Sequence, residues 1–225
     1  MTQSLNKSLN KSFNKPNLTM KKIFALALFT ASMTVPLAAF AAPTELLSNG
    51  SFEDNSLSSG NWSIFSGLTG WSAAANGVEL RNNVAGTALA GVNFVELDTT
   101  KNSSISQTVS TVAGQWYALS FNYSNRPDTA VSSNGLTWSF GGTGGIAAAL
   151  PAATGDHSWT QFSTLVQATG SSTGLSFAAI GTSDGFGTSL DKVSLTTAVP
   201  EPQTYALMLA GLFAVGFVAR RRAKR

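Results

Sequence analysis

The sequence predicts an all-β protein whose central part, residues 44–198, forms a single antiparallel β-sandwich. Several windows in this part alternate between apolar and polar residues with a period of two, which is typical of half-buried strands. Turn-forming pairs that contain Gly, Asn or Asp separate these windows. No segment of this part keeps a 3.6-residue period for long, so helices are not expected there. Short strands punctuated in this way indicate a β-sandwich or jelly roll.

The predicted strands follow one another along the central part. In the window 117–123, large aromatic and aliphatic residues occupy one face and small or polar residues occupy the other. Pairs such as Asn134-Gly135 and Asp184-Gly185 provide turn chemistry between windows. The alternating windows are 92–98, 117–123, 136–140, 159–166, 175–180 and 190–195.

The charge of the chain is concentrated at its two ends. Of 14 basic residues, five lie at or before Lys22 and five lie after Ala219, so residues 44–198 carry four basic and ten acidic residues, a net charge of −6. This charge-poor acidic part lacks the basic surface that nucleic-acid binding requires. Because the chain contains no cysteine, a folded exported domain must be held by its core rather than by disulfides.

The N-terminal region reads as a targeting segment. A Met-Lys-Lys start, an apolar run and the small residues Ala39 and Ala41 predict a signal-peptide helix over residues 20–41, cleaved after Ala41 by signal peptidase. Residues 1–19 contain a polar repeat of Asn, Lys and Ser that cannot form a core. They are either a disordered polar extension or the product of a wrong start codon.

The C-terminal region has three parts in a fixed order. It begins with Val199, Pro200, Glu201 and Pro202, continues as an uncharged apolar run, and ends with Arg220, Arg221 and Arg222 in a basic tail. We predict a transmembrane helix at about residues 204–219, although its fifteen-residue apolar run, 205–219, spans only about 22 Å of a roughly 30 Å hydrocarbon core. Basic residues after the run favour a cytoplasmic C-terminus and act as a stop-transfer signal. The alternative is a helix that packs on the domain.

Residues 199–225 resemble the PEP-CTERM sorting signal, by which Gram-negative bacteria hand exported proteins to an exosortase. The resemblance implies processing at Pro200-Glu201-Pro202 after transient anchoring in the inner membrane. It implies a final location at the cell surface or in the extracellular matrix, in association with the exopolysaccharide of biofilm or floc.

The central part carries a second resemblance. Segments 46–53, 114–121 and 189–195 are similar to strands of galactose-binding-like jelly rolls, the architecture of carbohydrate-binding modules. This resemblance implies a structural Ca²⁺ held by Glu53 and Asp191, with Asp54 as a weaker candidate and oxygen atoms as ligands. In the alternative interpretation, these are a turn residue and a strand-edge carboxylate that face water.

Five residues are candidates for contact with a sugar ligand. Trp62 lies in a Ser/Gly-rich segment and Trp116 at a strand start, so both are predicted to be exposed. Tyr123, Arg126 and Asp128 lie close together after a strand and combine an aromatic ring, a guanidinium and a carboxylate. The alternative for that segment is an internal Arg126–Asp128 pair. The remaining tryptophans, Trp71, Trp138 and Trp159, are expected to be buried.

Catalytic chemistry finds little support in the sequence. The single histidine, His157, lies in a turn and is expected to be solvated, and no cysteine or second histidine can complete a nucleophilic dyad or a zinc site. We therefore predict a non-enzymatic exported surface or matrix protein that binds exopolysaccharide. The alternatives are a purely structural or adhesive protein without a small ligand and a glycoside hydrolase, which needs only two carboxylates.

Overall fold

The structure, a computed structural model, describes residues 42–198 and 202–223. The predicted polar extension, the signal peptide with Ala39 and Ala41, and the processing residues Val199 to Glu201 lie outside the described residues.

Residues 42–198 contain twelve β-strands and one short 3-10 turn at Val131–Ser133. The strands are β1 Asn61–Phe65, β2 Gly67–Leu68, β3 Trp71–Ala73, β4 Val78–Asn82, β5 Asn93–Glu96, β6 Ser104–Ser110, β7 Trp116–Ser124, β8 Leu136–Phe140, β9 Thr143–Ile146, β10 Thr160–Gln167, β11 Ser172–Ala179 and β12 Ser189–Thr197.

The strands form two six-stranded antiparallel sheets. Sheet A has the order β1-β4-β5-β12-β7-β10, and sheet B has the order β2-β3-β6-β11-β8-β9. Neighbours in sheet A are mostly distant in sequence, since β12 lies between β5 and β7. The predicted antiparallel sandwich is therefore confirmed.

The core lies between the sheets and is rich in aromatic rings. Phe121 of sheet A stacks on Phe162 at a ring-centroid distance of 4.8 Å and meets Phe177 of sheet B edge-on at 4.9 Å. Trp138 of sheet B lies 5.4 Å from Phe162. Offset and edge-to-face contacts of this kind add to the free energy gained from burial. The apolar face predicted for window 117–123 is this core face, because its four large residues are all buried.

The opposite face of sheet A, called here the outer face, is also buried over much of its width. The register pairs Glu79 with Glu96 and Arg81 with Phe94, and all four side chains are almost inaccessible to solvent. Loops 83–92, 154–159 and 183–188 contact this face through hydrogen bonds and ring contacts. The alternation of the sequence predicted a polar face in contact with water, and this prediction is wrong for the residues under the loops.

The C-terminal segment forms the helix α1, Pro202–Arg222. Proline is well tolerated at a first helical position, and Arg220 to Arg222 in the last turn interact favourably with the helix dipole. The helix predicted in this region is confirmed. In the described part of the chain, however, no helix combines the length and the apolar character needed to cross a membrane, so the span predicted at about 204–219 is not found there.

Candidate functional site

Four charged side chains form a buried ion-pair network on the outer face of sheet A. Arg81 of β4 bonds to Glu79 on the same strand, and its Nε lies 3.1 Å from Oε2 of Glu96 on β5. Arg126, which follows β7, places Nη1 at 3.0 and 3.3 Å from the two carboxylate oxygens of Glu96. The backbone N–H of Gly187 donates to Glu96 Oε1 at 2.8 Å. Glu96 therefore joins the two arginines at the centre of the network.

Two exposed aromatic rings lie on the two guanidinium groups of this network. Trp62 on β1 pairs with Arg81 across the strands, and the Arg81 guanidinium lies 5.2 Å from its ring centroid. Phe186, in the loop before β12, lies 4.6 Å from the Arg126 guanidinium. Trp62 is 49% exposed and Phe186 is 44% exposed. We call Trp62 and Phe186 the two aromatic platforms, because cation–π contacts fix each ring while one side remains open to solvent.

Burial dominates the electrostatics of the network. Desolvation raises the pKa of Glu96 to about 7, although Arg81 and Arg126 oppose this shift. Desolvation also raises the pKa of Glu79, and the neighbouring buried carboxylate of Asp98 contributes to that shift. The formal charges of the network balance, since two carboxylates are paired with two guanidinium groups.

Two of the five predicted sugar-contact residues lie at this network: Arg126 belongs to it, and Trp62 lies on its Arg81 guanidinium. Trp116 is 50% exposed, as predicted, but it lies at the start of β7 opposite Gln167, away from the network. Asp128 is exposed and accepts the backbone N–H of Gly155 at 3.2 Å. The alternative Arg126–Asp128 pair is wrong, since Arg126 binds Glu96 instead.

Tyr123 requires a correction, because it lies on the core face of β7 and is buried. Its hydroxyl donates to the carbonyl of Ala148 at 2.9 Å. The ring forms part of the wall of a cavity of about 160 Å³ whose rim includes the exposed side chains of Val131, Ile146 and Ile180. Tyr123 therefore contributes to packing rather than to an exposed aromatic surface.

The two carboxylates predicted to hold Ca²⁺ both bind the loop that precedes β5. Asp191 Oδ2 accepts the backbone N–H groups of Leu89 and Ala90 at 2.8 and 2.9 Å. Glu53 Oε1 accepts those of Val92 and Asn93 at 2.9 and 2.7 Å. Burial raises the pKa of Asp191 to about 6, and the charge of Glu53 adds to this shift. These contacts assign both side chains a role in bracing the loop.

Calcium requires six to eight oxygen ligands. Among the described residues, no group of three or more acidic, histidine or cysteine side chains is placed to hold a metal ion. The two carboxylates supply part of such a ligand set at most, and N–H groups already occupy acceptor positions on both. The Ca²⁺ site at Glu53 and Asp191 stays a prediction, and exposed Asp54 forms no described hydrogen bond with either of them.

His157 is buried, so the prediction of a solvated side chain is wrong. Its ring meets Phe94 edge-on at 4.7 Å and contacts Trp159, which is half-buried on the outer face rather than in the core. Nδ1 lies 2.9 Å from the carbonyl oxygen of Thr87, and Nε2 lies 2.9 Å from Ser189 Oγ. Because a carbonyl can only accept, Nδ1 carries the hydrogen and Nε2 accepts from the serine hydroxyl. The Ser–His contact is therefore a buried structural one.

Desolvation lowers the pKa of His157 below its usual 6.5, which gives a pH-dependent prediction. Between the lowered folded-state pKa and 6.5, the unfolded chain binds more protons, so this contribution to stability is complete above pH 6.5 and is lost as the pH falls. We expect the difference in unfolding free energy between wild type and His157→Asn to shrink by up to about 1.4 kcal/mol per pH unit below that value. Urea denaturation of both proteins at pH 5 to 8 measures it, and a constant difference would contradict the prediction.

Comparison with solved structures finds a similar fold at a TM-score above 0.5. The chain is similar to the Stig cyclase Fisc from Fischerella sp. TAU, at 17% identity and a TM-score of 0.55, over 71% of this chain and 100% of that chain. It is also similar to the CBM22-1 xylan-binding domain of Paenibacillus barcinonensis Xyn10C, at 18% identity and a TM-score of 0.44, over 72% and 100%. TmCBM61 in complex with β-1,4-galactotriose matches at 17% identity and 0.43, over 69% and 99%. A search of curated proteins finds no match.

Family models match both parts of the chain. Residues 198–222 match the PEP-CTERM protein-sorting motif, so the resemblance noted in the sequence is confirmed. This motif indicates export, transient membrane anchoring and exosortase processing, and the short C-terminal helix is consistent with such a tail. Residues 45–196 match the family described as "Protein of unknown function (DUF642)". The chain belongs to this DUF642 family and carries a PEP-CTERM sorting signal.

Proposed function

We propose that the protein is a non-catalytic component of the extracellular matrix that binds exopolysaccharide through Trp62 and Phe186. The observation that carries this proposal is the pair of exposed rings, each held on a guanidinium of one buried network. A ring with one open face offers an apolar surface for the C–H groups of a sugar ring. Ligand sites commonly combine such apolar surfaces with a few fixed polar groups.

The network makes the two platforms rigid before a ligand arrives. A side chain that is already fixed loses little conformational entropy on binding, which otherwise costs about 0.5–1.5 kcal/mol for each immobilised side chain. Arg126 also brings polar recognition, since its side chain is 15% exposed and its described hydrogen bonds use Nη1 only. The other guanidinium N–H groups can donate to sugar hydroxyls.

The sorting motif supports the expected location of this ligand. Processing by signal peptidase and exosortase would deliver the domain to the cell surface or matrix, where exopolysaccharide is present. The net charge of −6 over residues 44–198 favours neutral glycans over strongly anionic polymers, because both Arg81 and Arg126 are already paired with carboxylates.

The platforms are tested by replacing Trp62 with alanine and measuring binding on a glycan array, followed by titration calorimetry with the best ligand. We expect Trp62→Ala to weaken binding at least about tenfold, since loss of a stacked ring removes more than about 1.4 kcal/mol. Trp116→Ala is the matched control, because Trp116 has nearly the same exposure but lies outside the network. Its affinity should equal that of the wild type.

Two outcomes would favour the alternatives. Equal binding by wild type and Trp62→Ala, or no binding to any glycan, would favour a structural or adhesive protein without a small ligand. Hydrolysis of a bound glycan that is abolished by Glu96→Gln would favour a glycoside hydrolase. The burial of Glu79 and Glu96 beneath their arginines argues against the latter, because a catalytic pair must reach the glycosidic bond.

A further inference from the structure

Strand β10, residues Thr160–Gln167, is an open edge of sheet A. It pairs with β7 along its whole length, and its other side has no neighbouring strand in the described part of the chain. Just beyond the strand, the N–H of Ala168 donates to the Gln115 carbonyl on the β7 side. Because hydrogen-bonding direction alternates along a strand, the odd-numbered residues of β10 direct their N–H and C=O groups away from the sheet. These groups form a ready template for another strand.

The features that usually protect an edge strand are absent from β10. Its sequence, TQFSTLVQ, contains no charged residue, no proline and no glycine, and Leu165 on the outer face is 59% exposed. Natural edges are commonly short or carry lysine, proline or a bulge. The other three edges fit that rule better, since β1 has five residues, β2 has two, and β9 has four, of which two are glycines. Eight unprotected residues at one edge indicate an interaction surface.

We propose that β10 pairs antiparallel with β10 of a second copy of this chain, with Thr164 on the two-fold axis. The sequence is self-complementary in this register. Gln161 lies opposite Gln167 and Ser163 opposite Leu165 on the outer face, while Phe162 lies opposite Val166 on the core face. The Gln161 amide can donate to Gln167 Oε1, because Gln167 Nε2 already donates to the Gly114 carbonyl at 2.8 Å, and Phe162 gains an apolar neighbour.

The register also satisfies the backbone. The four odd-numbered residues of one β10 face the four of the other, which makes four pairs. Each pair exchanges two backbone hydrogen bonds, so about eight form between the chains. No like charges face each other, because neither β10 nor its neighbour β7 contains a charged residue. The contact is isologous and closed, so it produces a dimer rather than a filament.

This dimer gives the binding surface a second copy at a defined distance. β1 and β10 are the opposite edges of sheet A, so the joined sheet has twelve strands with Trp62 on each outermost strand. At about 4.8 Å per strand, the two tryptophans lie roughly 50 Å apart. If the proposed function holds, two platforms at this separation can engage two polysaccharide chains or two points on one chain, which strengthens attachment through avidity.

The first test is cysteine cross-linking of the full chain in mild detergent. Because the wild type contains no cysteine, an introduced cysteine is the only thiol in each copy. In the proposed register, Thr164→Cys places two Cβ atoms about 4.5–5.5 Å apart across the two-fold axis, close enough for a disulfide under mild oxidation. We expect most of this variant to form a covalent dimer. Thr143→Cys on β9, the exposed edge of sheet B, is the matched control and should form no covalent dimer under the same conditions, because the two β9 strands lie apart in the proposed dimer. Equal cross-linking of the two variants would overturn the proposal.

The second test reads the register through charge. In the double variant Ser163→Lys with Leu165→Lys, each new lysine faces a lysine of the other copy, which gives two pairs of like charges. The dimer should therefore dissociate in analytical ultracentrifugation. Ser163→Lys with Leu165→Glu replaces each repulsive pair by an ion pair and should restore the dimer. If the chains associated through the exposed helix α1 instead, the Lys/Lys variant would not dissociate, and that result would overturn the proposal. Circular dichroism confirms that both variants fold, and neither measurement requires a glycan, so the dimer and the proposed function can fail separately.

Discussion

Replacing Glu96 with alanine is expected to lower the free energy of unfolding by about 3–5 kcal/mol, because removal of one partner leaves buried charges uncompensated. Glu96 is fully buried and accepts hydrogen bonds or ion pairs from Arg81, Arg126 and the Gly187 N–H. Urea denaturation at pH 7 measures the loss. Asp128→Asn, which removes an exposed charge but keeps an acceptor for the Gly155 N–H and tolerates the positive φ of 57° at this position, is the control and should change stability by less than about 0.5 kcal/mol.

Glu96→Gln separates the charge of this side chain from its shape. Burial raises the pKa of Glu96 from 4.5 to about 7, so the folded state binds a proton more tightly than the unfolded state between these values. The wild type therefore loses stability through this group as the pH rises from 4.5 to 7, whereas the variant does not. We expect the cost of Glu96→Gln to shrink over this range. A cost that grows with pH would show that the ionised form is preferred in the folded protein.

The loss of Glu96 should also affect ligand binding if the platforms depend on the network. Arg81 would keep its pair with Glu79, whereas Arg126 would lose its carboxylate partner, so the guanidinium beneath Phe186 would be held less firmly. At equal folded fraction, the affinity of Glu96→Gln for the glycan ligand should fall less than that of Trp62→Ala, which lacks the ring itself.

The sequence predicted the sandwich well, because the evidence for strands is local. Each of the six alternating windows overlaps an observed strand, and the alternation assigned the core face of β7 correctly. The same pattern already placed Tyr123 on the face of Phe121, so its burial could have been predicted. Strand β4 is not among the predicted windows, but its sequence Val-Glu-Leu-Arg-Asn also alternates. That pattern could have indicated a strand with Glu79 and Arg81 on one face.

The site could be predicted only in part, because its contacts join distant segments. Trp62 could be selected since nothing in its surroundings required it in the core. The partner of Arg126 could not be selected from the sequence, because Glu96 lies 30 residues earlier. The two residues meet only because of the strand order of sheet A. Phe186 lies in a Gly-rich loop without periodicity, and its position above Arg126 depends on backbone bonds from that loop to Asp98.

Replacing Asp191 with alanine is expected to lower the free energy of unfolding by about 2–4 kcal/mol, since it leaves partly buried N–H groups of Leu89 and Ala90 without an acceptor. Asp54→Ala is the matched control, because Asp54 is a nearby exposed carboxylate that accepts no described hydrogen bond. It should leave stability within about 0.5 kcal/mol of the wild type.

A chelator distinguishes loop bracing from the predicted calcium site. If Asp191 acts only by accepting N–H groups, the chelator leaves the melting temperature of the wild type unchanged, and Asp191→Ala is destabilised equally with and without it. If Asp191 and Glu53 also hold Ca²⁺, the chelator lowers the melting temperature of the wild type towards that of the variant, because a ligand that binds only the folded state stabilises it. Elemental analysis of the purified wild type then finds calcium, and that of the variant does not. A variant as stable as the wild type in both conditions would contradict both roles, since the loop at residues 89–93 would then hold its position without this carboxylate.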